Sequence, residues 1–148
     1  MYKNLLVPTD GSKLSSKAVA QATALAKLAG ARITLYYSMP AYPDPVYVES
    51  AIMAAYVPPD VFKEQSTKFA TKVLAKEIQK IAAAGVKVEA CQSASTTPWE
   101  GIIEVAQKRK CDLIVMASHG RRGVAGFLLG SETQKVLTHS KVPVLVVR

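Results

Sequence analysis

Five short apolar runs, each separated from the next by a stretch of helical periodicity, constrain this chain more than any other feature. They span residues 4–8, 32–38, 86–91, 112–116 and 142–147, and the alternation reads β-α-β-α-β-α-β-α-β. Runs such as Leu113-Ile114-Val115-Met116 and Val144-Leu145-Val146-Val147 show no polar alternation, which is the pattern of strands covered on both faces. The expected architecture is α/β: an open, mainly parallel five-stranded sheet with helices on each side. A chain of 148 residues can bury a core without disulfide or metal staples, so residues 1–148 are expected to form a single domain.

The helix boundaries follow from punctuation. The first helix is predicted from Ser12 to Gly30, with Ala18, Val19, Ala22, Leu25, Ala26 and Ala29 on its core face and glycine supplying the turn. The second runs from Asp60, read as an N-cap after Pro58-Pro59, to Gly85. Phe62, Phe69, Val73, Leu74, Ile78 and Ile81 trace its apolar stripe, and its lysines face water. Thr97-Pro98-Trp99-Glu100 reads as a capping box opening a third helix that ends in the basic Lys108-Arg109-Lys110. The last helix spans residues 131–139, and Ser131-Glu132-Thr133-Gln134 fits the S-x-x-Q capping box. The connection 39–59, with five prolines around an apolar centre, is longer than the usual link of about 2–6 residues. It starts at the carboxyl edge of the second strand, where either a lid or tight packing on the domain fits it.

Composition narrows the functional classes. Hydrophobic residues make up 49% and charged residues 20%, the balance of a folded soluble protein. No apolar run reaches the ~20 residues that a membrane span needs, and Met1-Tyr2-Lys3-Asn4 leads directly into the first strand. A cytoplasmic protein without membrane association is therefore expected. Cys91 and Cys111 lack Cys-x-x-Cys spacing and read as two reduced, buried thiols, with no metal site. The net charge of +8 is concentrated in residues 105–148, where eight basic and two acidic residues give +6. That excess fits an anionic ligand or a nucleic acid, and a solvated surface explains it just as simply as any ligand. The absence of an aromatic-basic platform such as the RNP pattern makes nucleic acid the weakest of the three.

Two strand-to-helix junctions carry the polar residues that could do chemistry. The first is Pro8-Thr9-Asp10-Gly11-Ser12, in which Asp10 suits either a ribose hydroxyl or an ordinary Asp-Gly turn. The second, Ala117 to Ser131, contains Gly120, Gly123, Gly126 and Gly130 together with Ser118, His119, Arg121 and Arg122. A plain connection needs no such set, whereas a phosphate cradle at a helix N-terminus does. The loop is not a P-loop, because no lysine precedes Ser131. It is not the dinucleotide fingerprint either, since it follows the fourth strand and lacks G-x-G spacing.

The spacing Ala117-x2-Gly120-x9-Gly130-Ser131, the VPTDGS turn and the ending HSKVPVLVV resemble the universal stress protein family, in its nucleotide-binding branch with the motif Gly-x2-Gly-x9-Gly-[Ser/Thr]. The resemblance covers essentially the whole chain. It implies a Rossmann-like, adenine nucleotide alpha hydrolase-like fold with strand order 3-2-1-4-5, which sets the first and fourth strands side by side. It also implies an adenine nucleotide, ATP or else ADP or AMP, with any Mg²⁺ carried on the phosphates. By the same resemblance Gly120, Gly130 and Ser131 bind phosphates and Asp10 and Ala117 sit at the ribose. The backbones of Thr9 and Ser38 approach adenine, and Met116 lines the pocket. Pro8, Ser118, His119, Arg121, Arg122, Glu132 and Thr133 complete the candidate binding set. A homodimer through residues 142–147 is implied as well. The departure is Ala117 in place of the motif's first glycine, which strains the backbone only if that position needs a positive φ.

Catalytic equipment is thin. Asp10, His119, Glu132 and the arginine pair are the candidates for hydrolysis, with His119 placed as a general base, while His139 reads as structural. The expected function is thus an ATP-binding regulatory or stress-response protein with little or no hydrolysis. The alternatives are a slow Mg²⁺-dependent nucleotide hydrolase and a dimeric interaction module that needs no nucleotide.

Overall fold

A computed structural model describes residues 1–43, 57–120 and 129–148. The elements are β1 (Asn4–Pro8), α1 (Lys13–Ala29), β2 (Arg32–Pro40), α2 (Pro59–Ala83), β3 (Val88–Ser95), α3 (Pro98–Lys108), β4 (Leu113–Ala117), α4 (Ser131–His139) and β5 (Val144–Val147). All strand pairs are parallel, in the order β3-β2-β1-β4-β5. The expected sheet and its strand order are both present. Residues 44–56, the centre of the long proline-rich connection, and residues 121–128, which include Arg121, Arg122, Gly123 and Gly126, lie outside the described residues.

Successive side chains along a strand point to opposite faces, so the sheet sorts its apolar residues into two cores. Leu5, Val7, Ile33, Leu35, Leu113 and Val115 pack with Val19, Ala22 and Ala26 of α1 and with Ala70, Leu74 and Ile81 of α2. Leu6, Tyr36, Ile114 and Met116 pack on the other face with Ile102 and Ala106 of α3 and Val136 of α4. Consequently β1 feeds a helix on one face and β4 feeds a helix on the other.

Polar contacts at the amino edge pin the central strands. Asp112 accepts from the backbone amides of Lys3 at 2.7 Å and Asn4 at 3.0 Å. The Asn4 side chain accepts from Thr34 and donates to the Arg109 carbonyl. Three strands and the end of α3 are thereby tied through a buried asparagine, an arrangement with no periodic signature in the sequence.

Several boundaries differ from expectation for definable reasons. Ser12 caps α1 by accepting from Ser15 N, and Gly30 ends it at φ 63°, as predicted. By contrast α2 starts at Pro59, with Pro58 at the cap position and Asp60 inside the first turn. The proline ring presets φ and lacks the amide a cap would serve. The Thr97 capping box does not close on the backbone; the Thr97 hydroxyl donates to the Glu100 carboxylate instead. Pro143 supplies no amide, and β5 begins after it. The strand β3 extends to Ser95 in full register with β2, because an edge strand tolerates polar Gln92 and Ser93.

Burial also departs from pattern. Within α2, Glu77 is buried, holding the Ser16 hydroxyl at 2.7 Å and Lys80 at 2.9 Å, whereas Phe69 of the predicted stripe is exposed. The Val144–Val147 run looks doubly covered but is only half-buried, with Leu145 exposed at the sheet edge. Cys111 is buried and Cys91 only partly so, and burial pushes both thiols up from their ordinary value, which keeps them protonated at neutral pH.

Lys110, which links α3 to β4, has φ 52°, and it is the one described non-glycine residue in the left-handed region. A Cβ disfavours that conformation by roughly 1–2 kcal/mol, part of which glycine returns through its extra freedom when unfolded. Lys110→Gly is expected to stabilise the fold by about 0.5–1 kcal/mol and raise the midpoint of thermal unfolding by a few degrees. A lower midpoint on calorimetry would contradict this.

Candidate nucleotide site

The carboxyl ends of β1 and β4 meet where their chains diverge to opposite faces, the place where an open α/β sheet forms a crevice. The β1–α1 loop is rigidly built. Thr9 N donates to the Tyr36 carbonyl at 2.9 Å, and Thr9 Oγ1 lies 3.1 Å from the Ser15 hydroxyl. Asp10 Oδ1 accepts from Ser12 N at 2.9 Å, an Asx turn. Gly11, at φ 79°, turns the backbone where an added Cβ would meet Val73 of α2 at 3.0 Å.

The turn reading and the ligand reading of Asp10 are compatible, because its two oxygens face different ways. While Oδ1 closes the turn, Oδ2 lies 2.9 Å from where a Cβ on Gly120 would stand. The absence of that side chain lets the β4–α4 loop approach the Asp10 carboxylate. Loops separated by more than a hundred residues therefore share one crevice.

On the β4 side, Ala117 is buried, pairs with Val147, and gives its carbonyl to the Thr133 hydroxyl at 3.0 Å. It does not have a positive φ, so alanine in place of the motif's glycine introduces no backbone strain. Ser118 N donates to Val147 O, and Gly130 N donates to Ser118 O at 2.8 Å, closing the base of the loop. A Cβ on Gly130 would stand 3.2 Å from Ser118 O and 3.4 Å from His119 Cα. Ser118 Oγ lies 2.9 Å from His119 Nδ1, so the imidazole is held against the loop.

The start of α4 corrects the capping-box expectation. Gly130, not Ser131, occupies the cap position, and no side chain caps the helix. Ser131 is the first helical residue, because the Gly130–Ser118 bond already holds the preceding backbone extended. Glu132 turns away and accepts from Trp99 N at 2.9 Å, serving the N-terminus of α3. The first-turn amides of α4 thus have no side-chain acceptor from their own helix, the state that suits a helix end to an anion.

The remaining candidates divide. Pro8 ends β1 at the crevice. Met116 has its side chain in the core between the sheet and α3 and α4, so only its backbone faces the edge. Thr133 is committed to Ala117, and Glu132 to Trp99. Ser38, near the carboxyl end of β2, has a buried hydroxyl without a hydrogen-bond partner among the described residues. Leaving such a group unpaired costs about 1–3 kcal/mol. His139 bonds the Lys135 carbonyl and lies against Trp99 with ring centroids 4.7 Å apart, a structural role as expected. Sequence reasoning missed Ser15 and Tyr36, which hold Thr9; neither carries a signal separable from helix and strand patterning.

Comparison with known proteins gives a consistent result. The model of the Universal stress protein family matches residues 1–148. A universal stress protein of Thermus aquaticus is 31% identical over 148 residues, with 100% of both chains covered. Universal stress protein MJ0531 of Methanocaldococcus jannaschii is 31% identical over 150 residues, covering 100% of this chain and 83% of its own. Among solved structures, hypothetical protein MJ0577 superposes with TM-score 0.80 at 28% identity, covering 99% of this chain and 96% of its own. A universal stress protein in complex with cAMP superposes with TM-score 0.73 at 29% identity, covering 99% and 97%. On the agreement of sequence and fold over its full length, this chain belongs to the universal stress protein family.

Proposed function

We propose that this chain is a regulatory adenine-nucleotide binder, with ATP as its ligand, acting as a single domain over residues 1–148 in the cytoplasm. The observation that carries the reading is the uncapped N-terminus of α4 beside Asp10. Anion-attracting amides and a ribose-type acceptor are brought to one crevice by two glycines whose missing side chains permit the close approach of the two loops. The complex of a 29% identical relative with cAMP supports an adenine nucleotide as the ligand class.

In this reading the phosphates lie along Gly120 and Gly130-Ser131, and Asp10 accepts from the ribose. The unpaired Ser38 hydroxyl takes a partner on the base or sugar. Any Mg²⁺ accompanies the phosphates. Turnover is absent or slow in this reading: His119 Nδ1 lies against Ser118, Glu132 serves Trp99, and Asp10 closes its own turn while it accepts from the ribose.

The direct test is mass analysis of nucleotide released on denaturing the purified protein, followed by calorimetric titration with ATP. Asp10→Ala is expected to weaken binding about tenfold or more, the worth of a charge-assisted hydrogen bond. Gly130→Val, whose side chain would crowd Ser118 and His119, should abolish it. Absence of binding by ATP, ADP and AMP to the folded wild type contradicts the proposal. Phosphate release above buffer with Mg²⁺, lost in His119→Ala with binding retained, would move the function to a hydrolase.

The exposed apolar edge at β5 supports a homodimer through Val144–Val147, since an unpaired edge presents free backbone groups and Leu145 presents apolar surface. Sedimentation at micromolar concentration should give a dimer, and Leu145→Asp should give a monomer. A wild-type monomer contradicts this.

A further inference from the structure

The amino edge of the sheet, opposite the proposed nucleotide site, carries an open groove of about 450 Å³ bounded by the ends of α1 and α2. Lys3, Lys27, Arg32 and Lys87 line it, with Ala26, Ala31 and Val86 among the small apolar residues of its wall. No carboxylate is part of that lining. Asp112 on the same edge spends its two oxygens on the amides of Lys3 and Asn4.

What sets these four cations apart is their convergence on one concave lining that holds no carboxylate, since Lys13, Lys63, Lys72 and Lys76 elsewhere on the surface also lack an ion-pair partner among the described residues. Lys68, Lys80, Lys108, Arg109 and Lys135 each have a carboxylate partner within 4.0 Å. Among the described residues, Lys3, Lys27, Arg32 and Lys87 have none. Balancing helix dipoles does not account for them. Each helix C-terminus contributes about half a negative charge and the Asp112 carboxylate keeps its full charge, so together they offset roughly two of the four. The edge keeps a net positive field focused into a concave surface, and the helix-ending glycines Gly30 and Gly85 leave open space there.

We infer that this groove is a second binding site, for a soluble small molecule bearing two or more phosphate groups, recognised by Lys3, Lys27, Arg32 and Lys87. The volume is within the range of about 300–1,000 Å³ typical of ligand sites. Its open mouth and cationic rim favour a hydrated polyanion over an apolar ligand. Three ammonium groups and one guanidinium match several phosphates presented together better than a single one. Binding of this kind weakens as salt screens the exposed charges.

The test is an amide chemical-shift titration of the full chain with sodium tripolyphosphate, which separates this groove from the crevice. Saturable shifts are expected at Gly30, Ala31, Gly85 and Val86, and they should persist in Gly130→Val, where the nucleotide site is blocked. The double variant Lys27→Glu/Lys87→Glu should lower affinity at least tenfold, while Lys63→Glu/Lys72→Glu, of the same net charge on α2, should change it less than about threefold. Shifts confined to Gly120 and Gly130 would overturn the inference. So would equal loss in both double variants, which would reduce the effect to net charge. Vesicles containing a phosphoinositide present the same chemistry on a membrane; binding to them without binding of tripolyphosphate would overturn the assignment to a soluble ligand.

Discussion

The parallel pairing of β1 with β4 is the constraint on which the rest of the molecule depends. In register Leu5 faces Leu113 and Leu6 faces Ile114, and each strand then sends its chain to a different face of the sheet. Without that juxtaposition Asp10 and Gly120 would lie on unrelated loops. With it, a carboxylate oxygen occupies the space left by the glycine's missing side chain. Apolar burial on both faces holds the strands, and the Asp112 and Asn4 hydrogen bonds at the other end fix how they align.

Much of the fold was legible because burial imposes period on sequence. Leu113-Ile114-Val115-Met116 reads as a strand covered on both faces and is one, and Ser12 and Gly30 carried their cap signals openly. Strand order was not legible from period; it came through the resemblance carried by Gly120, Gly130 and Ser131. What remained hidden depended on partners distant in the chain. Glu77 looks like a solvated helix residue until Ser16 and Lys80 surround it. The Val144–Val147 run looks like an interior strand, because apolar sequence cannot say whether this chain or another covers it.

The candidate site was legible in its spacing and not in its wiring. The S-x-x-Q pattern at Ser131 suggested a helix capped by its own side chains. The fold instead places Gly130 at the cap and directs Glu132 to α3. That rearrangement removes a competing acceptor from the end of α4, which favours an external anion. Ala117, the chain's departure from the glycine motif, has an ordinary strand conformation and a carbonyl held by Thr133. Its methyl group introduces no backbone strain there. The sheet thus offers anion-attracting features at both edges: uncapped helix amides at one and unpaired cations at the other.

A crystal structure of the protein grown with ATP would show whether the β1–β4 crevice holds the nucleotide. Phosphate density is expected against the amides of Gly120 and of Gly130-Ser131, with the ribose at the Asp10 carboxylate and Ser38 in contact with the nucleoside. An empty crevice at saturating nucleotide, or a nucleotide seated on another face of the sheet, would contradict this placement.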